Sequence, residues 1–229
     1  MGQVTTLNLN PMKKQLVLFI LLFCSFSCVS QKKEIISKST IKLEGRNTNI
    51  RDLIEIDGYY STLEYRTESG IMFFEDGIFV NFSFNIDVSE EETKANMYKS
   101  VAGRVKDNQL DWGNWLGVYK IEGDTIIVHY YMRGSWWTPW YASEVRYKII
   151  DRTTIQPIYY KGLLKIDEQY DKETNKNPWI SNGSIAFFNS ADSLPSSDCW
   201  LKEEKWIWRN EQDWKDYMQR IEQKKIKKK

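Results

Sequence analysis

Histidine and cysteine are almost missing from this chain of 229 residues, which holds one histidine, His129, and three cysteines. Two of those cysteines, Cys24 and Cys28, fall in the first 30 positions, leaving Cys199 alone in the body of the chain. A zinc site of imidazole and thiolate ligands cannot be assembled from one of each. No internal disulfide is available either, so the fold must be held by its hydrophobic core. Cys199, beside Trp200, reads as a small buried apolar residue. A Ser-His-Asp arrangement would have to use His129, which lies mid-strand between Val128 and Tyr130, and a strand histidine is far more often structural. Gly-x-Ser-x-Gly, Walker and dinucleotide fingerprints are absent. The sequence implies no cofactor and no catalytic residue.

Net charge is also lacking. The chain carries 32 basic and 31 acidic groups, and two of the lysines lie in the first 30 residues. Phosphate binding needs a basic excess or patch, so nucleic acid is not an expected partner. The one basic run, 224–229, reads as a solvated helix end.

What is present begins at the N-terminus. Lys13 and Lys14 lead into the apolar run 16–23, followed by Ser25, Phe26, Ser27 and Cys28. This is the pattern of an export signal, too short to span a bilayer comfortably. Residues 1–11 are polar and uncharged, so Met12 is the expected start and 1–30 an over-called N-terminus plus the signal. Ser27 before Cys28 resembles the lipobox of bacterial lipoproteins, in which the cysteine is acylated and becomes the new N-terminus. Ser25 stands where leucine is usual. The rival is ordinary cleavage after Ser30, with Cys28 and Ser30 as the two small residues, giving a periplasmic or secreted form. Several acyl chains on Cys28, at about 0.8 kcal/mol per buried methylene, would hold a domain on a membrane. Val29 follows where an aspartate would resemble an inner-membrane retention signal, which favours an outer-membrane address in the cell envelope.

Residues 31–48 are polar and read as a tether, with the folded domain over 49–210. Ile50, Leu53 and Ile54 have helical spacing over one turn, just ahead of Gly58, Tyr59 and Tyr60. The period then switches to two. Val80, Phe82, Phe84 and Ile86 alternate with polar residues, as do Val145, Tyr147 and Ile149, which marks strands with one face buried. Asp76-Gly77, Gly123-Asp124 and Asp151-Arg152 each separate two apolar runs, as hairpin turns do. With 185–188 and 206–208 added, about eight or nine antiparallel strands are expected, with no helical crossovers. The segments 87–115, with Glu90, Glu91 and Glu92 behind Ser89, and 167–182 are longer connections, the first with room for a short helix. Trp214, Tyr217, Met218 and Ile221 share one face of a helix over 212–224, expected to lie against the outside of the sheet and to close the chain in the region 211–229.

A short helical turn, a Gly-x-aromatic strand start at Gly58, a meander of hairpins and a closing helix resemble a lipocalin-like domain of the calycin group. The run Phe-Phe-Glu-Asp-Gly at 73–77 and the run Tyr-Lys-Ile-Glu-Gly-Asp at 119–124 are similar to segments of lipocalin-like bacterial lipoproteins. Tyr60 stands where the family has tryptophan, and Arg209 is a loose match for the arginine that packs over that ring. The resemblance implies an all-β, antiparallel up-and-down barrel with one open mouth, sometimes holding an apolar small molecule. Eight strands enclose a space that side chains or one small ligand can fill.

Between two expected strands lie Trp136, Trp137, Pro139, Trp140 and Tyr141. Three readings stay open for this rim: a lid packed over the barrel end, a stacking surface for an apolar or glycan ligand, and a wedge into a membrane interface. Trp136, Trp137, Trp140 and Tyr141 are therefore the ligand-binding candidates, and Cys28 the lipidation site. The function classes left standing are a non-catalytic, lipid-anchored binding protein and an envelope protein–protein interaction module with a filled barrel. A glycoside hydrolase is a lesser third, since its two carboxylates leave no sequence spacing. Oligomeric state is not legible.

Overall fold

The computed structural model describes residues 31–61, 67–85, 105–106, 109–110, 115–132, 140–164, 183–191 and 194–227. Eight strands close into a barrel: β1 (Gly58–Ser61), β2 (Thr67–Phe73), β3 (Ile78–Asn85), β6 (Trp115–Glu122), β7 (Thr125–Met132), β8 (Tyr141–Asp151), β9 (Thr154–Gly162) and β10 (Ala186–Ser190). A separate two-stranded ribbon, β4 (Val105–Lys106) with β5 (Gln109–Leu110), lies on the connection between β3 and β6. Each barrel strand pairs antiparallel with its predecessor, and β10 returns to β1 through Gly58↔Ser190, Tyr59↔Asn189, Tyr60↔Phe188 and Ser61↔Phe187. This is the expected all-β up-and-down barrel, with eight strands and a C-terminal helix.

The tight turns fall where the sequence placed them. Gly77 and Gly123 have φ of 91° and 62°, a left-handed backbone that disfavours side chains, and each reverses a hairpin. On the β8–β9 hairpin the register shifts between Arg146 and Tyr147, opposite Tyr159 and Pro157. Ile158 is the extra residue there, and Pro157, which cannot donate to the ladder, sits at the resulting bulge.

Alternation sorts each strand into an inner and an outer face. The inner face gathers Tyr60, Ile71, Phe73, Phe79, Tyr119, Ile126, Val128, Tyr130, Val145, Tyr147 and Ile155 into one buried cluster. Phe73 makes edge-on ring contacts with Tyr60, Phe79, Tyr119 and Tyr147, so this half of the interior is filled with aromatic rings. A 3-10 turn at Ile50–Asp52 plugs the same end with Ile50, Ile54 and Ile56. The Arg152 guanidinium, on the β8–β9 turn, holds this plug by donating to the Glu55 carboxylate and to the carbonyls of Arg51 and Asp52. Tyr60 Oη lies 3.0 Å from the carbonyl oxygens of both Glu55 and Arg152, sharing its one proton between them. Arg209 does not pack over Tyr60; it is largely exposed and pairs with Glu44. The loose arginine match therefore does not hold.

The outer face of β3, β6 and β7 is also apolar, and it is covered. Residues 31–38 form a helix, and Ile35, Ile41 and Leu43 are buried against Ile78, Val80, Leu116, Val118 and Ile127. The expected tether at 31–48 is thus a packed arm. It is locked to the C-terminal segment by Leu43 N–H donating to the Ile207 carbonyl and Arg209 N–H donating to the Leu43 carbonyl. Residues 206–208 are not a barrel strand but part of this cover, with a 3-10 turn at Lys205–Ile207 and one parallel bridge from Trp208 to Leu43. Two helices, α2 (Trp200–Glu203) and α3 (Glu211–Lys227), complete the cover after α1 (31–38). Tyr217 and Ile221 of α3 are buried as the stripe implies. They face the C-terminal segment, where Tyr217 stacks on Trp208, so α3 lies one layer out from the sheet it was expected to touch.

Candidate functional site

The plug closes one end of the barrel. At the other end, the far end, β1, β3, β7 and β9 finish and β2, β6 and β8 begin. The inner wall changes character toward that end. Tyr130 on β7 and Ser143 on β8 are directly paired, and Tyr160 on β9 lies diagonally beyond. Ser143 Oγ lies 3.1 Å from Tyr160 Oη, and the Tyr130 phenol shares this stretch of wall with them. Above this trio, Trp115 at the start of β6 meets the Tyr130 ring at 5.1 Å and the Tyr141 ring at 6.3 Å. Trp115 and Tyr141 are only half-buried, unlike the rings at the plug.

Local sequence explains why these groups converge. Gly117 sits opposite Tyr130, where an added Cβ would come within 2.8 Å of the Tyr130 Cβ and 2.6 Å of the His129 carbonyl oxygen. Glycine there lets β6 and β7 close around the bulky ring. Continuing the Val145, Tyr147 and Ile149 face backward by twos puts Ser143 and Tyr141 on the same wall. That continuation is the sequence signal for Ser143, and the phase opposite His129 is the signal for Tyr130.

Burial pushes the Tyr130 phenol well above the usual tyrosine range, so it stays protonated. The wall therefore presents neutral hydroxyls beside two ring faces. The nearby Glu144 points outward, to His129 and Arg146. Such an arrangement can stack on a flat or apolar body and hydrogen-bond a polar group on it. Among the described residues, no base is placed to draw a proton from any of the three hydroxyls.

The candidates from the sequence scatter. Trp136, Trp137 and Cys28 lie outside the described residues. Tyr141 is on the inner wall at the far end, as a ligand contact requires. Trp140 is not on an open rim: it is 4% exposed, its ring edge-on to Trp200 at 5.9 Å, with Lys32 Nζ 5.7 Å from its centroid. It belongs to the outer cover and offers no face to a ligand. His129 is 2% exposed on the outer face of β7, with Nε2 3.2 Å from Glu144 Oε2 and Nδ1 without a partner. Burial lowers its pKa, Glu144 opposes that, and Lys120 and Lys42 add to it. Cys199 is buried, and desolvation pushes its thiol up to about 11, which makes it inert.

Among the described residues, two cavities lie outside the barrel. One of about 450 Å³ runs between the arm and the plug end and is lined by Lys42, Arg46, Asn47, Asp76, Tyr119 and Lys120 among others. Its charged groups already have partners: Asp76 with Lys202, Lys120 with Glu122, Lys42 with the Trp206 carbonyl and Arg46 with Glu44. The other, about 320 Å³, lies beneath α3 beside Lys202 and Tyr217. Both are seams of the cover. Among the described residues no group of three or more His, Cys, Asp or Glu side chains is placed to hold a metal ion, and no helix is long and apolar enough to cross a membrane. No family model, no curated protein and no solved structure matches this chain.

Proposed function

We propose that this chain is a lipocalin-like, non-catalytic binding protein of the cell envelope, anchored to the outer membrane through acylated Cys28, that takes one small ligand at the far end of its barrel. The observation that carries the binding role is the pair Trp115 and Tyr141, half-buried and tilted toward each other above the hydroxyls of Tyr130, Ser143 and Tyr160. The ligand has an apolar or flat body that lies on these rings and a polar group that reaches the hydroxyls, as an amphiphile or a glycan does. The closed meander, the plug and the C-terminal helix support the lipocalin-like part of the reading; the lipobox supports the address.

The test is titration with an environment-sensitive apolar dye, N-phenylnaphthylamine. Wild-type protein brightens the dye saturably, and Trp115→Ala and Tyr141→Ala each weaken that binding tenfold or more. Equal dye binding by both variants would remove the far end from the role.

A second reading, an interaction module with a filled barrel, is favoured by the ring cluster around Phe73, which leaves nothing to fill at the plug half. It predicts no dye binding at all and an envelope partner recovered by crosslinking. A glycoside hydrolase would need two carboxyls facing across the site, where the described inner wall offers hydroxyls.

A further inference from the structure

The arm at 31–48 has a direction along the barrel. Its first residue, Gln31, lies at the far end, where its side-chain oxygen accepts the backbone N–H of Trp140, the residue before β8. Midway, Ser39 Oγ accepts the Tyr131 hydroxyl at 2.9 Å, and Lys42 Nζ donates to the Trp206 carbonyl. Its last residue, Thr48, lies at the plug end, donating its N–H to the Glu75 carbonyl and bonding with Tyr119 Oη. The chain therefore enters the domain at the end that carries Trp115 and Tyr141.

Position 28 is three residues before Gln31, a reach of at most about 11 Å. A flexible 18-residue tether would instead span about 23 Å and leave the domain free to turn. β8 has eleven residues; at about 3.3 Å each and a tilt near 40°, the barrel is about 28 Å tall. We infer that the lipid anchor holds the barrel with its far end against the bilayer and its plug end pointing away, so that the ligand is an amphiphile resident in that membrane. The inference rests on acylation of Cys28.

The experiment uses the acylated mature chain in vesicles of phosphatidylethanolamine and phosphatidylglycerol. One fluorophore is placed at Lys161→Cys near the far end or at Glu122→Cys on a plug-end turn; buried Cys199 stays unlabelled. Quenching by headgroup-spin-labelled lipid is at least threefold stronger at position 161 than at 122. A 20-residue Gly-Ser insertion after Ser30 keeps the protein on the vesicles and abolishes the difference. Equal quenching at the two positions in acylated, floating protein overturns the orientation and leaves the anchor standing. A difference that survives the insertion overturns the role of the docked arm. Intact mass without acyl chains overturns the anchor itself and the orientation with it.

Discussion

Gln31 reaches across to Trp140, its side-chain oxygen 3.3 Å from the Trp140 nitrogen. The contact joins the first described residue of the chain to the start of β8, and Lys32 adds its ammonium over the same indole ring. Weak as each contact is, the arm behind them is held by buried side chains, with Ile35 at 0% and Leu43 at 2% exposure. Ile35→Ala and Leu43→Ala should each cost about 2–4 kcal/mol in denaturant unfolding, the range for emptying a buried aliphatic site. If 31–48 were a tether, both changes would fall within about 0.5 kcal/mol of wild type.

Tyr60 and Arg209 make opposite predictions. Tyr60 is buried, with its hydroxyl between the carbonyls of Glu55 and Arg152. Tyr60→Phe takes this donor from the Glu55 carbonyl, while the Arg152 carbonyl keeps the Glu55 N–H, and should lower stability by about 1–2 kcal/mol. Arg209→Ala removes an exposed partner of Glu44 and should change it by less than about 0.5 kcal/mol. Urea midpoints of the two variants, measured side by side, check the assignment of the plug.

Acid should act first through His129. Its folded-state pKa is lowered, chiefly by burial, while in the unfolded chain it titrates near 6.5. Above that pH both states are neutral and the site's contribution is intact. As pH falls below 6.5 the unfolded state takes up a proton that the folded state refuses, so stability drops, with a slope of at most about 1.4 kcal/mol per pH unit. His129→Gln should flatten the stability profile just below pH 6.5. A profile with the same slope in both proteins would mean that His129 is not desolvated as the structure has it.

Asp198 pins α3. Its carboxylate is 5% exposed and accepts from Lys224 Nζ at 2.7 Å and Arg220 at 3.0 Å. Burial pushes its pKa up, but the two cations outweigh that and leave it below the usual carboxylate range. Its stabilisation is present above about pH 4 and is lost as pH falls through the lowered value. Asp198→Asn should cost about 1–3 kcal/mol at pH 7. Amide exchange over 211–227 reads the loosening, and unchanged protection there would contradict it.

The hairpins, the plug and the barrel were legible because their signals are local: Gly77 and Gly123 at turns, Ile50 and Ile54 on one helical face, and alternation along β3 and β8. The cover was not, because its anchors Ile35, Ile41 and Leu43 are spaced among polar residues with no single period. The trace of a cover lay in β7, where 126–131 is almost continuously apolar and every residue is buried. A strand wetted on one side would have alternated. Trp140 shows the same limit: without a visible outer layer, a tryptophan between two strands has only the barrel end to occupy. At the site, Tyr141 was found from its neighbours in sequence, whereas Trp115, Tyr130 and Tyr160 meet it only across three strand pairings that sequence spacing does not show.

Native mass spectrometry of the protein purified from its source cells in mild detergent tests the binding role most directly. The account predicts one bound small molecule in the wild-type spectrum, lost or sharply reduced in Trp115→Ala and Tyr141→Ala proteins of unchanged thermal stability. Wild-type protein that is recovered empty in repeated preparations, beside variants that look the same, would contradict it.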